Sequence, residues 1–546
     1  MPAAGNAVRD SLPFEHNSVI HRQDKEISVE FGPFIILAIT GFGGSLDMSR
    51  KLHFGTILLA AAALAVAIAW ACLHRGPWYD EFYTQYVTRP GPGWTEALRT
   101  SWLADNHPPL YYALARASDG LGRIETHRLL NLAIGACCLL AGAAIVRDVP
   151  RLLPAGAALL LLLAGNEWTV LSGSELRSYF LSLCAGALLA FSLAALALTR
   201  EGGSIPRRLA YGAAVLIGFN THIVTTLIAG SLILPFLLIA ALQRDWSYFR
   251  ALLLPPLASG LLFVAVSLVQ LPHWQANTQN FWIEGGLASA RWSIEYALLR
   301  CLEANPLVLA GAIAGVAIMG RDLMRDRAAC EGIAILAQLA AGVVLGLALL
   351  TAIHLVHPLL IEKYLTAMVG AVSLGMALAC GRLLRALGPG AGAMFLGAAL
   401  LLSLWSLCDH VARSTARNSW YGTGRYVADI RATCPDTLVH VDRFWNADVT
   451  AMSPADNLAV APAAYRTVAA HFGFALEPET SRRMAKACPT LFWAEHDTRH
   501  RFTDAAILAH LRASGFAVNA ITVRRIGDGW VAMAAARPEQ GLLTSP

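Results

Sequence analysis

The chain has 546 residues, 56% of them hydrophobic and only 14% charged, with a formal net charge of +5 and a mean hydropathy of +0.51. This composition excludes an ordinary soluble domain, and it describes a polytopic membrane protein. There is no basic patch with interleaved aromatics, so nucleic acid is excluded as a partner, and the small Lys/Arg excess reads as a topology signal.

The first 47 residues are polar, and their apolar fragment Phe34 to Thr40 is too short to span a bilayer. They lack the layered order of a cleavable signal. Met48-Ser49-Arg50-Lys51 stands directly before an apolar run, so residues 1–47 are expected to be an extension that is not native to the protein. Apolar runs suited to spans then occupy 54–73, 129–146, 152–170, 178–198, 209–220, 223–242, 251–270, 303–320, 332–353, 358–380 and 389–408, against a crossing requirement of about 20 residues. The 209–242 stretch is expected to be a tight helical hairpin broken near Asn220-Thr221-His222, which makes eleven spans.

Lys and Arg concentrate in cytoplasmic loops. With the amino end inside, Arg50/Lys51, Arg147/Arg151, Arg200/Arg207/Arg208, Arg244/Arg250, Arg321/Arg325/Arg327 and Arg382/Arg385 all fall on the cytoplasmic side. The same parity sets residues 74–128, Glu175 to Tyr179, Asn220 to His222, the loop 271–302 and His354 to Lys363 on the opposite face. The segments Trp94 to Leu103 and 108–121 read as interfacial helices, since Arg116 and Asp119 interrupt the second and a twelfth span would invert every later loop.

After Cys408 the composition changes. Short apolar strands at Thr437 to Val441, Thr490 to Trp493 and Gly529 to Ala534, with a helix-like run at Asp504 to Ser514, predict a small α/β domain over 409–546 outside the cytoplasm. Of the ten cysteines, Cys434 and Cys488 stand in this polar region, where they either form a disulfide or remain two thiols. No Cys/His cluster has zinc spacing.

Four polar constellations share the outer face. Trp78-Tyr79-Asp80-Glu81-Phe82 and Asp105-Asn106-His107-Pro108-Pro109-Leu110-Tyr111-Tyr112 follow the first span. Its acids are either solvated loop residues or a base or metal ligand at the membrane surface. Glu175-Leu176-Arg177-Ser178-Tyr179 carries an Arg that pairs with Glu175 or binds an anion. His222 interrupts a run with no other strongly polar group, as a structural or an orienting residue. His354, His357 and Glu362-Lys363-Tyr364 offer a cation either for interfacial anchoring or for a lipid phosphate.

In order and shared face, these elements resemble the GT-C superfamily of membrane glycosyltransferases, in particular bacterial relatives of protein O-mannosyltransferases and of the lipid A aminoarabinose transferase. The likeness covers about residues 54–408, with Lys363 standing where relatives commonly carry Arg. It implies a GT-C type membrane domain over 48–408 with juxtamembrane helices on the periplasmic side, in a bacterial inner membrane. It further implies transfer of a sugar from a polyprenyl-phosphate carrier to a lipid, glycan or protein acceptor, with inversion. Asp80 would be the general base and Glu81 its support, Lys363, Arg177 and Tyr364 would hold the donor phosphate, and His107, Tyr179, His222 and Trp282 would contact substrate. In the aromatic loop 271–302, Trp282 is a lid or acceptor contact or else an interfacial anchor. There is no Gly-rich cradle for a nucleotide, and no third ligand completes a metal site with Asp80 and Glu81, so no cofactor is assigned and a divalent ion is left open. The rival class is a transporter or lipid flippase, against which stands the lack of an inverted repeat; a scaffold protein is the third reading and would not need Asp80.

Overall fold

The computed structural model describes residues 48–200, 204–277, 283–325, 331–416, 419–442, 445, 454–497 and 500–536. The expected extension 1–47 and Trp282 lie outside them.

The protein is a multi-pass membrane protein. Among the described residues nine helices are long and apolar enough to cross a bilayer, from Met48–His74 to Pro389–Ala416. All eleven expected runs are helical, yet two depart from a simple span. The run expected at 152–170 is Leu153–Gly165 followed by Glu167–Gly173, bent by 71°. Asn166 takes an extended conformation at the bend, and its side chain accepts from Trp168 N (2.8 Å) as the cap of the second helix. The run expected at 209–220 is Ile205–Thr221, only 17 residues long, and it ends where His222 turns extended and caps Ile223–Leu242 through Nδ1. By length the count is therefore nine, or ten if the bent pair is one span, against the expected eleven. The expected loop 271–302 is also largely helical: Trp246–Asn277 runs on through Pro272, and Leu287–Glu303 begins after Gly286, whose φ is +103°.

Tyr179–Thr199 is buried along nearly its whole length and packs against Thr366–Ala386. Small residues make that crossing close. A Cβ on Gly186 would stand 2.1 Å from Ala367 O, and one on Gly370 would stand 2.5 Å from Ala187 N. Tyr179 and Tyr364 sit at the same end of this helix pair, so the crossing fixes their separation.

The C-terminal region folds as a four-stranded sheet in the order β1-β2-β4-β3. Its strands are β1 (Leu438–Val441), β2 (Thr490–Ala494), β3 (Thr522–Ile526) and β4 (Gly529–Ala534); β1 and β2 are parallel, and the other pairs are antiparallel. β3 is not among the strands expected from sequence, because Arg524-Arg525 break its apolar alternation. As an edge strand it keeps charges that discourage further pairing. Helices Ser419–Thr433, Pro454–His471 and Asp504–Ala513 cover the sheet, and Cys434 is bonded to Cys488.

Candidate active site

Gly76-Pro77 end the first span, and Trp78, in extended conformation, starts the helix Tyr79–Thr88. Glu81 at the third helical position accepts from Trp78 N (3.2 Å), a local capping contact that sets the helix direction. The helix is held between Leu110–Ala117 and the C-terminal helix Pro454–His471.

The two adjacent acids then part company. Glu81 is fully buried and accepts a fork from Arg128, Nε to Oε1 and Nη2 to Oε2, both at 2.7 Å. Leu176 N donates to the same carboxylate (2.7 Å), and Arg128 also donates to the carbonyls of Cys72, Arg75 and Gly76. Burial would raise the Glu81 carboxyl, but Arg128, Arg75 and the Leu176 N–H reverse it, and the net shift is downward. Glu81 is thus an ionised anchor that ties the helix to the ends of two spans.

Asp80 remains half-exposed, with its Oδ2 3.6 Å from Arg177 Nη2. Of the two roles open to Arg177, pairing with Glu175 is ruled out: Glu175 is taken by Arg75 at 2.8 Å. Arg177 donates to Thr84 Oγ1 (3.3 Å), and its Nε is buried without a hydrogen-bond partner among the described residues. Burial would lower the guanidinium pKa, but Asp80, Tyr179, Tyr112 and Asp105 around it push the net shift upward, so it stays charged.

His107 meets this cluster from the other side. Its Nδ1 lies 3.0 Å from Asp105 Oδ2, which also accepts from Tyr112 Oη (2.5 Å). Burial opposes ionisation of Asp105, yet His107, Tyr112 and Arg177 bring its pKa down to about 2. Gln270 holds the loop by donating to the carbonyls of Trp102, Asp105 and His107. The rings of His107 and His222 are 4.8 Å apart, those of His222 and Tyr364 4.5 Å, and those of Tyr179 and Tyr364 5.9 Å. Lys363 Nζ sits 3.9 Å from the centre of the Trp78 ring and makes no ion pair among the described residues.

Six of the residues singled out from sequence, Asp80, His107, Arg177, Tyr179, His222 and Tyr364, therefore form one cluster, with Lys363 on its flank. Glu81 points away from it. His354 is structural, its Nδ1 accepting from Leu359 N and Leu360 N, and Trp292 is exposed and stacks on Tyr296. Arg75, Arg128, Thr84 and Gln270 were not singled out. Arg128 directly before an apolar run had the signal that would have found it, since a lone Arg there needs a partner. Beside the cluster lies a cavity of about 390 Å³ that reaches from Trp78, Tyr179 and Lys363 to Glu495, His496 and Asp528 of the C-terminal domain. Among the described residues no three or more His, Cys, Asp or Glu are grouped to hold a metal ion.

The fold and site define a class: a many-helix membrane bundle with an acid, two cations and closely packed aromatic and imidazole rings gathered at one end, beside a small C-terminal sheet region. No protein-family model and no curated protein sequence matches the chain. Among solved structures it is similar to ArnT from Cupriavidus metallidurans bound to undecaprenyl phosphate, at 13% identity and a TM-score of 0.48, over 88% of this chain and 99% of that one. The apo form of that protein aligns at 14% identity and a TM-score of 0.47 over the same shares. The archaeal oligosaccharyltransferase AglB from Archaeoglobus fulgidus, in complex with an inhibitory peptide and a dolichol-phosphate, aligns at 12% identity and a TM-score of 0.44, over 82% of this chain and 70% of that one.

Proposed function

We propose that the protein is a glycosyltransferase that moves a sugar from a polyprenyl-phosphate carrier to an acceptor outside the cytoplasm, with inversion at the anomeric carbon. The observation that carries this reading is the half-exposed Asp80 carboxylate beside the buried Arg177, incompletely bonded among the described residues, with Lys363 making no ion pair among them nearby. At 3.6 Å Arg177 holds Asp80 by charge more than by a short hydrogen bond, which leaves carboxylate lone pairs for a hydroxyl. Asp80 takes the acceptor hydroxyl proton as that oxygen attacks the anomeric carbon. The bond from that carbon to the phosphate oxygen breaks, and its electron pair leaves on the polyprenyl phosphate. Lys363 and Arg177, with Tyr364 alongside, meet the charge that grows on the leaving group. Glu81 fixes the helix that carries Asp80, while His107, Tyr179 and His222 orient substrate.

The reaction is assigned to the periplasmic face of a bacterial inner membrane. The loop charges support this orientation, and the Cys434–Cys488 disulfide suits an oxidising compartment. The acceptor is a lipid A-type glycolipid, another glycan or a protein. The test is transfer from polyprenyl-phosphate sugars into membrane extract by the wild type, Asp80→Asn and Lys363→Ala. General-base catalysis is worth about a hundredfold or more, so Asp80→Asn should lose at least that much. Full transfer by that variant would overturn the assignment of the base, and substrate transport without donor consumption would favour a carrier.

A further inference from the structure

The C-terminal domain brings its own side chains to this end of the bundle. β2 lies between β1 and β4, and the chain leaves it through Glu495-His496-Asp497. Both neighbours of His496 are tied down. Glu495 N donates to Tyr465 Oη (2.8 Å), and the Glu495 carboxylate accepts from Ser419 Oγ and Trp493 Nε1, both at 2.9 Å. Asp497 N donates to Asp528 O (2.8 Å), and its carboxylate accepts from Arg501 N (2.7 Å). His496 itself is held at φ +71°, in the left-handed region that disfavours a residue bearing a Cβ. Its ring makes no hydrogen bond among the described residues. It stands 5.3 Å from the ring of Tyr79, the neighbour of Asp80, and lines the same cavity as Trp78 and Lys363. A conformation of this kind, fastened on both sides, presents a free imidazole to the cavity.

The cavity's chemistry restricts what can fill it. Among the lining residues, Trp78, Tyr79 and Trp420 offer flat apolar surface, while Glu495, His496 and Asp528 offer polar atoms. Arg75 is neutralised by Glu175, and the acids Glu362 and Asp528 line the cavity together with Lys363, so the lining carries no surplus of positive charge for a second phosphate. Resting on the transferase reading, we infer that this cavity is the acceptor subsite, and that His496 hydrogen-bonds hydroxyls of a neutral saccharide unit of the acceptor. Burial pushes the Glu495 carboxyl up to about 7, against the donors Thr423, Trp493 and Ser419, which agrees with a wall of low charge.

The test uses the full-length protein in nanodiscs, with undecaprenyl phosphate as the probe of donor binding and membrane extract as the acceptor source. In His496→Gly, glycine is at ease at φ +71°, so thermal stability should equal or exceed that of the wild type. Undecaprenyl phosphate binding should stay unchanged, and the acceptor concentration for half-maximal transfer should rise about five- to tenfold, the loss expected for one hydrogen bond. His496→Asn, which tolerates the backbone and keeps a donor and an acceptor, should recover most of that loss. Unchanged acceptor dependence in His496→Gly would overturn the inference, and so would lost stability together with lost donor binding, which would make His496 structural. A wild-type protein that consumes no donor defeats the transferase reading instead, before the subsite is in question.

Discussion

The buried Glu81–Arg128 pair makes a prediction that separates structure from chemistry at the adjacent acids. In Arg128→Met, Glu81 keeps only two donors, Leu176 N at 2.7 Å and Trp78 N at 3.2 Å, and the carbonyls of Cys72, Arg75 and Gly76 lose their donor. In Glu81→Gln the guanidinium loses its counter-charge but still donates to those three carbonyls. Breaking a buried pair by removing one partner costs about 3–5 kcal/mol. Arg128→Met should therefore fall at the upper end of that range and Glu81→Gln at the lower. The double variant should cost at least about 1 kcal/mol less than the sum of the two single costs, because neither buried charge is then left alone. Retention of the monodisperse peak after heating the solubilised protein measures this, read beside transfer activity. Glu81→Gln with wild-type stability and greatly reduced transfer would refute the reasoning and return Glu81 to the chemistry, as would strict additivity.

Two further outcomes test the framework around the site. Gly370→Ala should cost about 1–3 kcal/mol, because its Cβ would press on backbone at Ala187 N (2.5 Å) and Leu183 O (2.8 Å); in the same helix Gly375→Ala, with nothing within 4 Å, should be neutral or stabilising. Equal melting temperatures for the two variants would show that the crossing is not tight. Glu495 titrates near 7 in the fold against 4.5 as an ordinary Glu, so the folded state holds an extra proton between those values. Its contribution is fully present below about pH 4.5 and is lost as pH rises through 7, a difference of about 3 kcal/mol. Glu495→Gln should flatten the stability profile between pH 5 and 8 relative to wild type, and an unchanged slope would refute the assignment.

Much of the bundle was legible because its cause is local: a run of about 20 apolar residues can satisfy its backbone in a bilayer only as a helix. The same locality explains the misses. Asn166 bends a run that hydropathy reads as continuous, since hydropathy does not register a side chain that caps the backbone. β3 was lost because an edge strand carries Arg524 and Arg525 where an interior strand alternates.

At the site, residue types and a shared face brought Asp80, His107, Arg177, Tyr179, His222, Lys363 and Tyr364 forward from sequence. The resemblance divided the two acids into a base and its support, but the residues by themselves did not show which one is buried. Asp80 and Glu81 are neighbours with the same chemistry, and which one ionises inside a buried pair depends on Arg128, 47 residues away from Glu81. Nor did any pattern in the polar tail point to His496, whose place beside Tyr79 follows from how the sheet domain docks. Hydrophobic spacing and charge parity act along the chain and so can be read from it. Partner choice among charges is decided by distance in three dimensions, where burial makes one carboxylate an anchor and leaves its neighbour half-exposed.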